Sequence, residues 1–246
     1  MKPLAVVFDG DDTLWFIEHL YDEARDECCK IIKETGLDAA GWEQLERSID
    51  LENVVRLGFS AERFPTSCVE AYQRLVWESG RQTEASVETA IRTAATEVFW
   101  REASPAHGVN DICSILEHQF HTVLLTKGEE WVQRKRIAEA GLVNAFDHVS
   151  IVREKTESDF REALRAIGVP PSSAWSVGNS LASDVNPALR IGMRAIWIDA
   201  YVWEYERREL STKEGVIAAP DLEAATRILL DSAERETGVG CGVKDR

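Results

Sequence analysis

A chain of 246 residues is long enough to bury a full hydrophobic core, either as one large domain or as a main domain with a smaller one set into it. Lysine and arginine number 28 against 43 aspartates and glutamates, a formal net charge of −15. That balance argues against a nucleic-acid partner, which normally meets a basic footprint, and against docking on anionic membranes, although a local focus of cations could still take an anionic ligand.

No apolar run approaches the ~20 residues needed to span a bilayer. The first eight residues are too short for a signal peptide and run straight into acidic ones. The cysteines are Cys28, Cys29, Cys68, Cys113 and Cys241, an odd number with no Cys-x-x-Cys. That spacing predicts buried or idle thiols in a reducing cytosol rather than a disulfide framework or zinc site. No feature specifies an oligomeric state.

Residues 4–8, Leu-Ala-Val-Val-Phe, have the length and branching of a buried strand. Asp9-Gly10-Asp11-Asp12-Thr13 follows at once. Three carboxylates in four residues repel one another and are easier to hold around a cation. Asp9 and Asp11 share a direction if the backbone stays extended, and Gly10 permits a turn or a close approach. The plainer reading is a loop of turn formers with Asp12 capping the next helix.

The stretch from about 15 to 103 contains no clear strand. Glu23 to Ile32 reads as helix, as do Phe64, Cys68, Tyr72 and Leu75, and Val87, Ile91, Ala94 or Ala95 and Val98, all at spacings of three and four. A helical insert therefore separates the first strand from the later ones.

Further buried strands are predicted at 122–125, 149–152, 174–177 and 195–198, with helices at 130–140, 157–167 and 182–191. Strands alternating with helices imply βαβ units and a parallel sheet. In such sheets the ligand sits beyond the carboxyl ends of the strands. After the second strand come Thr126, Lys127 and Gly128, suited to an anionic oxygen but common in any loop. After the third come Arg153 and Lys155, which alone would read as solvated surface. After the fourth come Asn179 and Asp184, oxygen ligands of a kind that suits Mg²⁺, or else Asn179 and Ser180 cap a helix. Asp199, ending the last run, stays unassigned. The tail 237–246 carries three glycines and reads as mobile, with no strand or helix around it to make a dinucleotide loop.

Taken jointly, Phe8-Asp9-Gly10-Asp11-Asp12-Thr13-Leu14, Leu125-Thr126-Lys127-Gly128, Lys155 and Val177-Gly178-Asn179-Ser180-Leu181-Ala182-Ser183-Asp184 resemble the motifs of the haloacid dehalogenase (HAD) superfamily. The resemblance implies a Rossmann-like α/β fold, a parallel sheet with helices on both faces, plus an inserted α-helical cap. The expected division is a core of residues 1–14 and 106–236, a cap of 15–105 and a tail of 237–246. It further implies a Mg²⁺-dependent phosphatase acting on a small phosphorylated metabolite through an aspartyl-phosphate intermediate. Asp9 would be the nucleophile and Asp11 the general acid and then base. Thr13 would steady the loop. Thr126 would hold phosphoryl oxygens with the Lys127 amide and Gly128, while Lys155 would neutralise charge. Asp9, Asp184, Asn179 and the carbonyl of Asp11 would hold Mg²⁺.

Elementary electrostatics agrees with that division. A carboxylate attacks a dianionic phosphate only when charge is cancelled. One divalent cation and one ammonium balance Asp9, Asp11 and Asp184. Dehalogenation needs no acid two residues after the nucleophile, because halide leaves without a proton; an alkoxide needs one, so Asp11 favours ester hydrolysis. A phosphomutase, a dehalogenase or a catalytically weak binding protein are the alternatives. Asn179 stands where many relatives carry an acid, which implies surviving activity with weaker Mg²⁺ binding. Arg56, Arg63 and Trp77 are candidates for reading the leaving group.

Overall fold

The computed structural model describes residues 4–199, 202–206 and 208–237; Cys241 and most of the 237–246 tail lie outside them. In chain order the strands and helices are β1 (Leu4–Phe8), β2 (Trp15–Phe16), α1 (Glu18–Glu34), α2 (Ala39–Leu57), α3 (Arg63–Glu78) and α4 (Ala85–Thr96). Then follow β3 (Ser104–Pro105), α5 (Val109–Leu116), β4 (Phe120–Lys127), α6 (Glu130–Glu139), β5 (His148–Val152) and α7 (Glu157–Ile167). The chain continues through β6 (Ala174–Gly178), a π-helical turn at Leu181–Val185, α8 (Asn186–Arg190), β7 (Arg194–Ile198), β8 (Val216–Ala219) and α9 (Leu222–Thr237).

Six strands form one parallel sheet in the order β5-β4-β1-β6-β7-β8. β1 lies inside it and is buried on both faces. Leu4, Val6 and Phe8 enter one apolar cluster, and Ala5 and Val7 enter the other with Phe160 and Leu164 of α7. This period of two explains why the strand reads as a continuous apolar run. The carboxyl end of β1 is where strand order diverges to either side, the position at which open α/β sheets bind ligands.

The chain leaves and re-enters the sheet layer through the antiparallel ribbon β2–β3, closed by Ala106 N–H donating to the Leu14 carbonyl at 2.9 Å. The two-residue strand Trp15–Phe16 lies inside the stretch expected to hold no strand; it is too short to show an alternating pattern. Between β2 and β3 stand α1–α4, with α2 packed on α3, α3 on α4, and α1 on both α2 and α4. The fold is thus the Rossmann-like α/β sheet with a helical cap. Strands and helices expected beyond residue 120 fall within a few residues of those observed, except that the helix expected at 182–191 divides into the π turn and α8. The helices α2, α5 and α9 and the edge strand β8 were not anticipated. Among the described residues no helix is long and apolar enough to cross a membrane. Cys28, Cys68 and Cys113 are buried free thiols, and Cys29 is a half-buried one.

The cap core contains an ion pair. Glu46 of α2 is fully buried and accepts from Arg25 Nε of α1 at 3.0 Å, while its Oε1 has no hydrogen-bond partner. Burial pushes the Glu46 carboxyl up to about 7 against the pull of Arg25. The folded protein therefore holds this proton more tightly than the unfolded chain does. Its stabilising contribution is complete below the ordinary glutamate value and is lost as pH rises toward 7. Thermal melts from pH 5 to 8 are expected to show this decline, on the order of 3 kcal/mol. Glu46→Gln should flatten it; an unchanged slope in the variant would contradict the assignment.

Candidate active site

At the carboxyl end of β1 the chain turns sharply. The Gly10 carbonyl accepts from the amides of Thr13, Leu14 and Trp15. A Cβ on Gly10 would stand 2.4 Å from the Trp15 ring, so glycine is required there by close approach. Asp12 sits at φ 58, a left-handed value that aspartate tolerates better than most residues. Its Oδ1 accepts from the Ile17 amide at 3.0 Å and the Glu18 amide at 3.4 Å, so Asp12 caps the start of α1 as the plainer sequence reading had it.

Asp9 points into a cavity between sheet and cap, and the other strand ends converge on it. Lys155, after β5, donates from Nζ to Asp9 Oδ1 and, at 2.6 Å, to Asp184 Oδ1. Thr13 Oγ1 donates to Asp9 Oδ2 at 3.2 Å. Asp184, in the turn after β6, accepts from the Ser180 amide at 2.9 Å through Oδ2. Ser180 Oγ in turn accepts from the Ser183 amide. Asp9, Lys155, Asp184, Asn179 and Thr126 are all buried. Burial and the neighbouring Asp184 push Asp9 up to about 7, against Lys155. Burial also works against the Lys155 ammonium, but the Asp184 and Asp9 carboxylates outweigh it and hold its pKa above the ordinary lysine value.

All the residues expected at the site except Thr13 line this cavity, and Thr13 touches Asp9 directly. Two of them are engaged differently from the expectation. Thr126 Oγ1 donates to Gln133 Oε1 at 3.1 Å. The Lys127 ammonium pairs with Glu206, donates to Ser183 Oγ at 2.9 Å and stands 3.9 Å from the centre of the Phe59 ring. Burial and the Lys155 charge bring Lys127 down to about 7. Of the three leaving-group candidates, Arg63 lines the cavity. Arg56 pairs with Glu70 away from it, and Trp77 is 79% exposed.

Sequence reasoning missed the surroundings of Asp11. Its Oδ1 accepts from Trp15 Nε1 at 2.6 Å, and its Oδ2 from Gln133 Nε2 at 2.9 Å and Arg136 Nη1 at 2.7 Å. Arg136 therefore adds a further charge to the three carboxylates and Lys155, one that the simple balance of the sequence left out. Gln133 and Arg136 lie one turn apart on α6, both buried between Val132 and Ile137. Two polar residues at core positions of the helix after Thr126 were the available signal.

Among the described residues no three histidine, cysteine, aspartate or glutamate side chains form a metal cage. The donors near Asp9 are two carboxylates, an amide and backbone carbonyls. That set fits a hard cation that keeps several waters, such as Mg²⁺, and not a soft or tetrahedral one.

A sheet with the ligand site at the end of β1, an inserted helical cap and this set of strand-end residues define a class. The match to the family model of the haloacid dehalogenase-like hydrolases spans residues 3–192, and the chain belongs to that family. It is 27% identical over 201 residues to the glyceraldehyde 3-phosphate phosphatase of Methanopyrus kandleri, covering 79% of this chain and 83% of that one. Against the human N-acylneuraminate-9-phosphatase the identity is 26% over 210 residues, with 79% and 82% covered. Among solved structures, a haloacid dehalogenase-like family hydrolase from Xanthomonas campestris superposes with a TM-score of 0.77 at 23% identity, over 98% of this chain and all of that one.

Proposed function

We propose that the protein is a phosphatase that hydrolyses the monoester of a small phosphorylated metabolite, with Asp9 as nucleophile. The carrying observation is the bonded set Asp9–Lys155–Asp184 at three strand ends with Asp11 beside it. The phosphatase relatives support the same reading. An Asp9 oxygen attacks phosphorus, and the ester P–O bond breaks. Asp11 gives the departing oxygen a proton. It then takes one from the water that attacks phosphorus and releases Asp9 and inorganic phosphate. Lys155 holds its charge against Asp9 through both steps. Thr126 offers its hydroxyl, and the amides of Lys127 and Gly128 lie in the same loop, within reach of phosphoryl oxygens. Asp9, Asp184, Asn179 and the Asp11 carbonyl would hold Mg²⁺, which cancels charge on the phosphoryl group when bound. The cap covers the site and excludes large substrates.

The test is phosphate release from p-nitrophenyl phosphate with Mg²⁺, together with chemical trapping of an acyl-phosphate on Asp9. Turnover without label on that side chain would overturn the mechanism. Gly178 supplies a second check on the metal site. A Cβ there would lie 2.4 Å from the Asp184 carboxyl carbon, so Gly178→Ala must displace Asp184. The variant is expected to need at least ~10-fold more Mg²⁺ for half-maximal activity, as losses of metal-positioning residues do. An unchanged Mg²⁺ dependence would remove Asp184 from the metal site.

A further inference from the structure

The cavity is richer in charge than phosphate transfer needs, and its cations are already matched. Among the described residues five cationic side chains and eight carboxylates line it. Lys155 meets Asp9 and Asp184, and Lys127 meets Glu206. Arg136 meets Asp11 at 2.7 Å, Arg25 Nη1 meets Asp22 at 3.1 Å and Glu18 at 3.5 Å, and Arg63 Nη1 meets Asp50 Oδ2 at 2.7 Å. Among the described residues no cation facing the cap end is left for a second anion, and a carboxylate entering there would join an excess of its own sign.

What the cap end does offer is neutral recognition. Arg63 is 8% exposed, its guanidinium lies 4.4 Å from the centre of the Trp203 ring, and its Nε has no hydrogen-bond partner. Arg136 Nη2 is likewise buried without one. A buried donor without an acceptor is costly, so both favour a ligand that brings oxygen. Ile17, Phe64, Phe99 and Val132 supply an apolar wall beside them.

Building on the phosphatase reading above, we propose that the substrate's leaving group is uncharged, a short polyol or sugar. Its hydroxyl oxygens accept from Arg63 Nε and Arg136 Nη2, its C–H face lies on the apolar wall, and a carboxylate in its place is rejected.

The experiment blocks hydrolysis and reads binding alone. Asp9→Asn protein with Mg²⁺ is titrated with glycerol 3-phosphate and with 3-phosphoglycerate, which differ by one carboxylate on a three-carbon skeleton. Glycerol 3-phosphate is expected to bind at least ~10-fold more tightly. Adding Asp50→Asn, which frees the Arg63 charge while keeping an acceptor for Ser67, should narrow that ratio ~10-fold. Equal or tighter binding of 3-phosphoglycerate overturns the proposal, and so does a ratio that Asp50→Asn leaves unmoved. Phosphate release from phenyl phosphate by the wild type, run alongside, separates the two readings. Release without the expected preference sinks only the neutral leaving group, and no release sinks the phosphatase itself.

Discussion

Asp9→Asn is expected to lower phosphate release by at least ~10⁴-fold while leaving the fold intact. The side chain is nearly isosteric and keeps one oxygen to accept from Lys155 Nζ, while its amide nitrogen takes the place of the oxygen that Thr13 Oγ1 met and donates to that hydroxyl instead. What it loses is the charged oxygen that forms the bond to phosphorus. An amide is too weak a nucleophile to replace it, and among the described residues no other carboxylate stands at the end of β1 in contact with both Lys155 and Thr13. The variant also relieves the repulsion between Asp9 and Asp184, so its melting temperature should equal or exceed that of the wild type. Lost activity with retained stability isolates chemistry from folding. Retained turnover would show that water attacks phosphorus directly and that Asp9 serves only to hold a cation.

Asp11→Asn is expected to cost 10²- to 10⁴-fold, on the order of what a positioned acid or base contributes, and the loss should depend on the leaving group. An alkoxide needs the proton at the moment the bond breaks, whereas p-nitrophenolate leaves without one. Sugar or polyol phosphates should therefore suffer more than p-nitrophenyl phosphate in the first half-reaction. Trp15, Gln133 and Arg136 fix the direction of this carboxylate. Arg136→Met removes one of them and should lower kcat through Asp11; KM should hold for p-nitrophenyl phosphate and rise only for polyol phosphates, whose hydroxyl Nη2 is proposed to meet. A loss in the rate of the first half-reaction that is uniform across leaving groups in Asp11→Asn would assign the residue to loop structure rather than proton donation.

The site was legible because its chemistry is local to strand ends. Each of Asp9, Thr126, Lys155 and Asp184 follows a short apolar run, and a parallel sheet brings such ends together whatever lies between them. The residues that orient Asp11 were not legible, since Gln133 and Arg136 sit mid-helix, where a polar residue ordinarily faces water. The same physics hid α2. Its inward face carries Glu46, Asp50 and Asn53 beside Trp42, Ile49 and Val54, so the apolar stripe that marks an amphipathic helix is broken by buried ion pairs and hydrogen bonds. The edge strand β8 was missed for another reason: Ile217 and Ala218 are exposed, and four residues with one buried alanine give no pattern. The helices α5 and α9 do carry Val109, Ile112, Cys113 and Leu116, and Leu222, Ala225, Leu229 and Ala233, at helical spacing, a signal that was present and unread.

The strand order has a consequence for how the polypeptide acquires its shape. β1 pairs with β4 and β6, whose residues Phe120 and Ala174 lie far along the chain from Leu4 and Ala5. During synthesis β1 emerges well before either of these neighbours exists. The helices between, which need only one another, can assemble in that interval. The proposed nucleophile, Asp9, is thus made well before the two strands that flank its own.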